Sequence, residues 1–392
     1  MAHAITGGHL QVPNVQELAQ SGEVVPARYV RTEEEGTADV VVTGCPLPVV
    51  DLGRLLDPRS SQEELANLGS ACQQGFFQLV NHGVPADVIL DVKRDIAEFF
   101  RLPLEAKNEY EKLPDGLEGY GQVFVFSETQ KLDWSDMLYL MLRPVEARDM
   151  SFWPTTPPSF RSSVDRYSVE AARVVLCLLR FMAMDMGVEP ERLLEMFGGQ
   201  PQTMKVTYYP PCQQAGKVIG LSPHTDACAM TLLLHVNDVQ GLQIRSDDGN
   251  WLAVEPLDGA IIVSVGDIIE AMWVVAHGLD HPDTRHLFQT HDVILSNGKY
   301  RSVEHRAVVH PDKERIAAAM FHQPRHTIMV EPLPELVKEN GGARYKSVAY
   351  AEFMKHFFSV KLGGLFMAIS SKCNDDYSWQ YTPNAMWRNR PA

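Results

Sequence analysis

The chain has 392 residues, 45% of them hydrophobic and 22% charged, with a formal net charge of −15. That composition is ordinary for a globular protein, and the length supports a core that needs no disulfide staples. The acidic balance argues against nucleic acid and anionic lipid as partners, since both would be repelled.

The six cysteines (Cys45, Cys72, Cys177, Cys212, Cys228 and Cys373) lie far apart and form no CxxC pair. They are expected as free thiols in a reducing compartment. The first twenty residues lack a basic patch followed by an apolar run, and no stretch of 18 apolar residues occurs. Neither a secretory leader nor a membrane span is expected. The expected compartment is the cytoplasm, with a nuclear share left open, and the expected state is a monomer.

In chain order, residues 14–20 suggest a short helix, followed by a polar surface stretch to about Ala38. Two short apolar runs come next, the second ending at Asp51. Ser60 and Ser61 precede a stretch expected as a capped helix running into a strand. Asn81-His82-Gly83 marks a turn, with His82 read as a turn residue rather than a ligand. Residues 85–112 carry helical periodicity broken at Pro103. A Gly-rich and then aromatic segment spans 115–130. Residues 161–197 form a long amphipathic stretch, expected as two helices broken at Gly187.

From Met204 the character changes. Short β-type runs follow one another, split by turns, and Asp247-Asp248-Gly249-Asn250 is a hairpin signal between two of them. Many short strands without alternating helices predict a barrel or jelly roll. With a mainly helical N-terminal region, the fold class is α+β.

The chemistry centres on Pro223-His224-Thr225-Asp226. An HxD pair at a strand end places an imidazole and a carboxylate on one face, because strand side chains alternate with period 2. By itself the pair is weak, since a surface His beside a capping Asp is common. A third ligand from a distant strand would complete a 2-His-1-carboxylate facial triad, the signature of non-haem Fe(II) oxygenases. His305, in a strand-like run, is the candidate. Ten residues on, Arg315 offers a guanidinium fork suited to a carboxylate ligand. A packed core His and a surface cation are the ordinary alternatives for these two.

These residues belong to a longer ordered set. Tyr208-Tyr209-Pro210-Pro211-Cys212, Leu221 through Asp226, Gly241-Leu242-Gln243, Val265-Gly266-Asp267, Leu295 through Arg306, and Lys313-Glu314-Arg315 resemble the plant 2-oxoglutarate- and Fe(II)-dependent dioxygenases. Upstream, Pro48 through Leu52 and Gly75 through Gly83 resemble that family's N-terminal domain. Gly119-Tyr120-Gly121 and Lys131-Leu132-Asp133-Trp134 point to its senescence-related, norcoclaurine-synthase-like and opiate-demethylase-like branch. The resemblance covers about residues 14–361.

It implies a double-stranded β-helix (jelly-roll) core with flanking helices, an N-terminal domain at 47–160 and an oxygenase domain at 200–326. It also implies Fe(II) on His224, Asp226 and His305, with 2-oxoglutarate on Arg315 and Tyr209 and ascorbate as reductant. Phe124, Phe126 and Phe321 are substrate-pocket candidates by family position, although aromatic residues are more often simply core. The implied reaction consumes O₂, converts 2-oxoglutarate to succinate and attacks a C–H bond of a small specialised metabolite or hormone. Hydroxylation, desaturation or demethylation follows. A catalytically impaired binding protein and an iron-dependent condensing enzyme are the alternatives.

Three departures from the family pattern stand out. Ala317 occupies a position where the family usually has Ser, and Thr207 one where it often has Asn. Losing a hydroxyl bond to a carboxylate costs roughly 1.5–3 kcal/mol. Residues 271–293 form an insert between Asp226 and His305, and a register slip there would turn His305 away from the metal. Its histidines, His277, His281, His286 and His291, fit no single helical face and read as part of a loop. Residues 362–392 form an atypical tail, expected to be poorly ordered.

Overall fold

Two kinds of strand build the core. A computed structural model of the chain describes residues 10–22, 24–32, 41–42, 46–114, 116–123, 125, 127–199, 201–270, 299–325, 327–330, 348–352 and 354, with short paired segments at 377–378 and 390–391. Phe124 and Phe126, the insert 271–293 with its four histidines, and nearly all of the tail 362–392 lie outside the described residues, as do Cys45 and Cys373.

The helices are α1 (Val15–Ser21), α2 (Leu52–Leu56), α3 (Ser61–Gln74), α4 (Ala86–Arg101), α5 (Leu104–Asn108), α6 (Phe160–Met186), α7 (Pro190–Met196) and α8 (Asp267–Glu270). The strands are β1 (Val41–Val42), β2 (Val49–Asp51), β3 (Phe76–Val80), β4 (Gly119–Tyr120), β5 (Asp136–Arg143), β6 (Gln202–Tyr209), β7 (Leu221–His224), β8 (Met230–His235), β9 (Leu242–Arg245), β10 (Trp251–Ala253), β11 (Ile261–Val265), β12 (His305–Ala307) and β13 (Arg315–His322).

One sheet has the order β2-β3-β11-β8-β13-β6-β5-β4, and the facing sheet β1-β10-β9-β12-β7. This is the expected jelly-roll layout with flanking helices. In the larger sheet the strands read as near-continuous apolar runs because both faces are buried. Val206, Leu232, Val263, Ala318 and Met320 point outward into a large core with residues of α3, α4 and α6. The alternate residues point inward between the sheets, where Phe76, Leu242, Ile244 and Ile262 form a second cluster.

Local signals explain several element ends. Asn14 caps α1 by accepting from the Glu17 amide, and Gly187 ends α6 in the left-handed conformation. The hairpin at Asp247–Asn250 joins β9 to β10, with Arg245 opposite Trp251.

Two expectations need correction. Ser60 stands at the N-cap of α3 but makes no side-chain cap bond. Its hydroxyl instead donates to the Arg54 carbonyl at 3.0 Å, so the helix start is tied to the end of α2. The N-terminal half also contains more sheet than its periodicity suggests. β5 pairs along β6, with Asp136 opposite Tyr208, and extends the main sheet. Its apolar run has no period-2 signal because both faces are covered.

Candidate functional site

His224 ends β7 and lies directly opposite His305 of β12, so cross-strand pairing delivers both imidazoles to one place. Asp226 follows two residues later. His224 Nε2 is 3.8 Å and His305 Nε2 is 3.7 Å from Asp226 Oδ1. The two rings are 4.3 Å apart between centroids, and one ligand atom from each residue lies within 4.8 Å of the others. That spacing suits three ligands on one face of a small cation with bonds of about 2 Å.

The atoms turned away from this point are already engaged. His224 Nδ1 meets the Ser222 carbonyl at 2.8 Å, and His305 Nδ1 meets the Val303 carbonyl at 3.1 Å. A carbonyl accepts only from N–H, so each Nδ1 carries the proton and Nε2 is left with its lone pair toward the shared point. Asp226 Oδ2 accepts from the Thr231 hydroxyl at 2.7 Å and the Ser264 hydroxyl at 3.0 Å, which orients Oδ1 toward the histidines. The Phe76 ring packs edge-on against His305 at 5.2 Å.

The loop carrying Asp226 is clamped from below. The Asp267 amide donates to the Asp226 carbonyl at 2.8 Å, and the Ile268 amide to the Cys228 carbonyl at 3.0 Å. Thr225 Oγ1 donates to Asp267 at 3.1 Å. Gly266 is required there by close approach, because a Cβ at that position would lie 2.1 Å from the Cys228 carbonyl oxygen. This gives the Val265-Gly266-Asp267 motif a physical reason. Cys228 is buried against Thr231, 3.3 Å away, and fills space as expected of a small hydrophobe.

His305 keeps its orientation although residues 271–298 precede it. Tyr300 donates to Asp185 of α6 at 2.6 Å, and Lys299 pairs with the same carboxylate at 2.7 Å. The Arg301 amide donates to the Cys72 carbonyl of α3 at 3.1 Å. The Ser302 amide donates to Glu270, the last residue of α8. The two ends of the long connection are therefore tied together, which keeps its closure cost small, and the feared register slip does not occur. Glu304 points to the other face and pairs with Arg245, as alternation requires.

The second half of the site lies further along the same cavity. Arg315 begins β13 opposite Tyr209 of β6. It is almost fully buried, its guanidinium 4.9 Å from the Tyr209 ring centroid. Its Nε has no hydrogen-bond partner among the described residues. Burial lowers its pKa from the ordinary arginine value, and Tyr209 opposes the shift. Burial likewise raises the Tyr209 phenol, with Arg315 opposing. Gly241 gives Arg315 its room, since a Cβ there would lie 2.8 Å from Arg315 Cδ. A buried guanidinium with an idle N–H fits an anionic ligand.

His224, Asp226, His305, Arg315, Tyr209 and Phe321 all line one cavity. Of the residues singled out in the sequence, Phe321 is the pocket aromatic whose position is described. Thr231, Ser264 and Lys205 also face the cavity and carried no local signal. Their inward direction follows from strand register, and the nearest sequence hint is the alternation of 205, 207 and 209 along β6.

Comparison with known proteins agrees with this geometry. The profile described as non-haem dioxygenase in morphine synthesis N-terminal matches residues 47–156, and that of the 2OG-Fe(II) oxygenase superfamily matches residues 200–324. The chain is 50% identical over 373 residues to 2-oxoglutarate-dependent dioxygenase 11 of Oryza sativa subsp. japonica, covering 93% of this chain and 97% of that protein. It is 44% identical over 365 residues to S-norcoclaurine synthase 1 of Coptis japonica, covering 91% and 95%. Among solved structures it is similar to JOX2 in complex with 2OG, Fe and JA, at 33% identity and a TM-score of 0.75, covering 89% of this chain and 94% of that one. The chain belongs to the plant 2-oxoglutarate- and Fe(II)-dependent dioxygenase family and is an oxidoreductase of that class.

Proposed function

We propose that this chain binds Fe(II) through His224, Asp226 and His305 and 2-oxoglutarate through Arg315 and Tyr209, and that it oxidises a C–H bond of a small organic molecule. The observation that carries the reading is the convergence of two Nε2 lone pairs and one carboxylate oxygen whose other polar atoms are already bonded. Hydroxylation, desaturation and demethylation share the same first step. Demethylases of flavonoid and opiate type among the relatives support the last of these.

Each residue has a definable task. The two histidines and Asp226 would hold the Fe(II) through His224 Nε2, His305 Nε2 and Asp226 Oδ1. Bound Fe(II) supplies the activation of O₂, coupled to decarboxylation of 2-oxoglutarate to succinate. Arg315 neutralises the far carboxylate and fixes the direction in which the cosubstrate lies, while the Tyr209 hydroxyl adds a hydrogen bond to it. Leu233, Ala319 and Phe321 form an apolar wall that keeps water from the reacting carbon. Lys205 brings a cation into the same lining.

The test is succinate formation from 2-oxoglutarate with Fe(II), O₂ and ascorbate, for the full chain and for a version lacking residues 271–293. Turnover in either supports the reading, with the shortened version showing what the insert costs. Iron binding without turnover in both rejects it. The similarity to a norcoclaurine synthase favours a second reading, an iron-dependent condensation. Product formation independent of O₂ would select it.

A further inference from the structure

Ala317 leaves the carboxylate end of the cavity without the hydroxyl that a serine there would supply. Ala317 pairs with Thr207 of β6 on one side and with His235 of β8 on the other. Along β8, Thr231 and Leu233 line the cavity, and His235 follows on the same face by strand alternation. The ladder holds this placement firmly. Beyond His235, Asn237 accepts from the Ile316 amide at 3.0 Å and donates to the Glu314 carbonyl at 2.8 Å. These two hydrogen bonds bracket Arg315 and fix its register against His235.

His235 is 8% exposed, and neither of its ring nitrogens has a hydrogen-bond partner among the described residues. A histidine used only as core filling normally satisfies at least one nitrogen, because a buried polar atom left without a partner carries a desolvation penalty. Arg315 Nε nearby is likewise without a partner among the described residues. Three buried polar atoms without partners among the described residues therefore lie at or directly beside the Arg315–Ala317 part of the cavity lining. Burial, reinforced by Arg315 and then Lys93, lowers the His235 pKa to about 3. The ring is therefore neutral at physiological pH and keeps one N–H donor.

We propose that His235 is a cosubstrate-binding residue of this chain, its ring N–H donating to the distal carboxylate of 2-oxoglutarate beside Arg315 in place of the hydroxyl that Ala317 lacks. The proposal rests on the reading of Arg315 as the carboxylate clamp and adds a donor from the adjoining strand.

Two ligands separate the possibilities: 2-oxoglutarate, and 2-oxopentanoate, which has the same metal-chelating group and no distal carboxylate. Their affinities are measured by calorimetry on the Fe(II)-loaded protein without O₂. His235→Leu is expected to weaken 2-oxoglutarate about 10-fold or more, as for a lost bond to a charged group, and to leave 2-oxopentanoate unchanged. His235→Gln, which keeps an N–H, is expected to retain most of the affinity and guards against a Leu variant that fails to fold. Adding Ala317→Ser to His235→Leu is expected to restore 2-oxoglutarate binding. Equal weakening of both ligands, or no weakening of either, overturns the proposal and returns His235 to the core. If Arg315→Ala also leaves 2-oxoglutarate binding intact, the clamp reading itself fails, a different result from failure of His235 alone.

Discussion

At the end of the cavity proposed for the metal, the atoms of His224, Asp226 and His305 that face away from one another are already hydrogen-bonded. At the end proposed for the cosubstrate carboxylate, Arg315 Nε and both nitrogens of His235 are buried without partners among the described residues. The difference is what the proposed ligands of each end call for. A metal site needs its ligands aimed before the ion arrives, so the surrounding hydroxyls and carbonyls do the aiming. A site for a dicarboxylate that comes and goes keeps donors idle until the ligand bonds them, and it bears their desolvation in the meantime.

Removing a ligand should show the contrast most strongly. His305→Ala is expected to weaken Fe(II) binding more than about 100-fold, beyond the usual cost of losing an outer-shell partner, as read by anaerobic equilibrium dialysis. Unchanged iron binding would remove His305 from the site. Arg315→Ala should act at the other end alone. Loss of two charge-assisted bonds predicts about 100-fold weaker 2-oxoglutarate binding by calorimetry, with Fe(II) affinity kept. A fall in both would mean that the two ends are not separable.

The idle histidine also predicts a pH effect. Its folded pKa is depressed to about 3, below that of an exposed histidine. As pH falls through about 6.5, the unfolded chain takes up a proton that folded His235 refuses, so stability is lost on acidification. Between pH 8 and pH 5 the wild type should lose roughly 2 kcal/mol more than His235→Gln in denaturant unfolding. Burial raises Asp136 to about 6, which gives the opposite slope. Both proteins share it, so their difference isolates His235. Equal losses would show that the ring is not desolvated as described. The smallest effect is expected from Thr231→Val, which removes one bond to Asp226 Oδ2 and should weaken Fe(II) about 10-fold. No change would mean that Ser264 alone orients the carboxylate.

The two ends also differed in how far they could be read from sequence. His224 and Asp226 sit two residues apart, so their nearness is legible locally, although Asp226 lies in the loop just past the end of β7 and is aimed by Thr231 and Ser264. His305 and Arg315 had to be assigned through motifs, because their closeness to the first pair is created by cross-strand register. His235 gave no signal. Its meaning depends on lying opposite Ala317 on a strand some eighty residues away in sequence, a pairing that no local pattern encodes. The same limit applies to β5, whose doubly buried run lacks the alternation that marks a half-exposed strand. The jelly roll itself was legible from the succession of short strands and close turns. The pinning of residues 299–302 by Asp185, Cys72 and Glu270 was not, and it explains why a long preceding insert leaves His305 in place.

The most direct measurement is a crystal structure of the full chain loaded with Fe(II) and 2-oxoglutarate without O₂. The account predicts metal density bonded to His224 Nε2, His305 Nε2 and Asp226 Oδ1, with the distal carboxylate of the cosubstrate on Arg315 and within hydrogen-bond reach of His235. Metal bound elsewhere, or a cosubstrate whose distal carboxylate avoids Arg315, would contradict it.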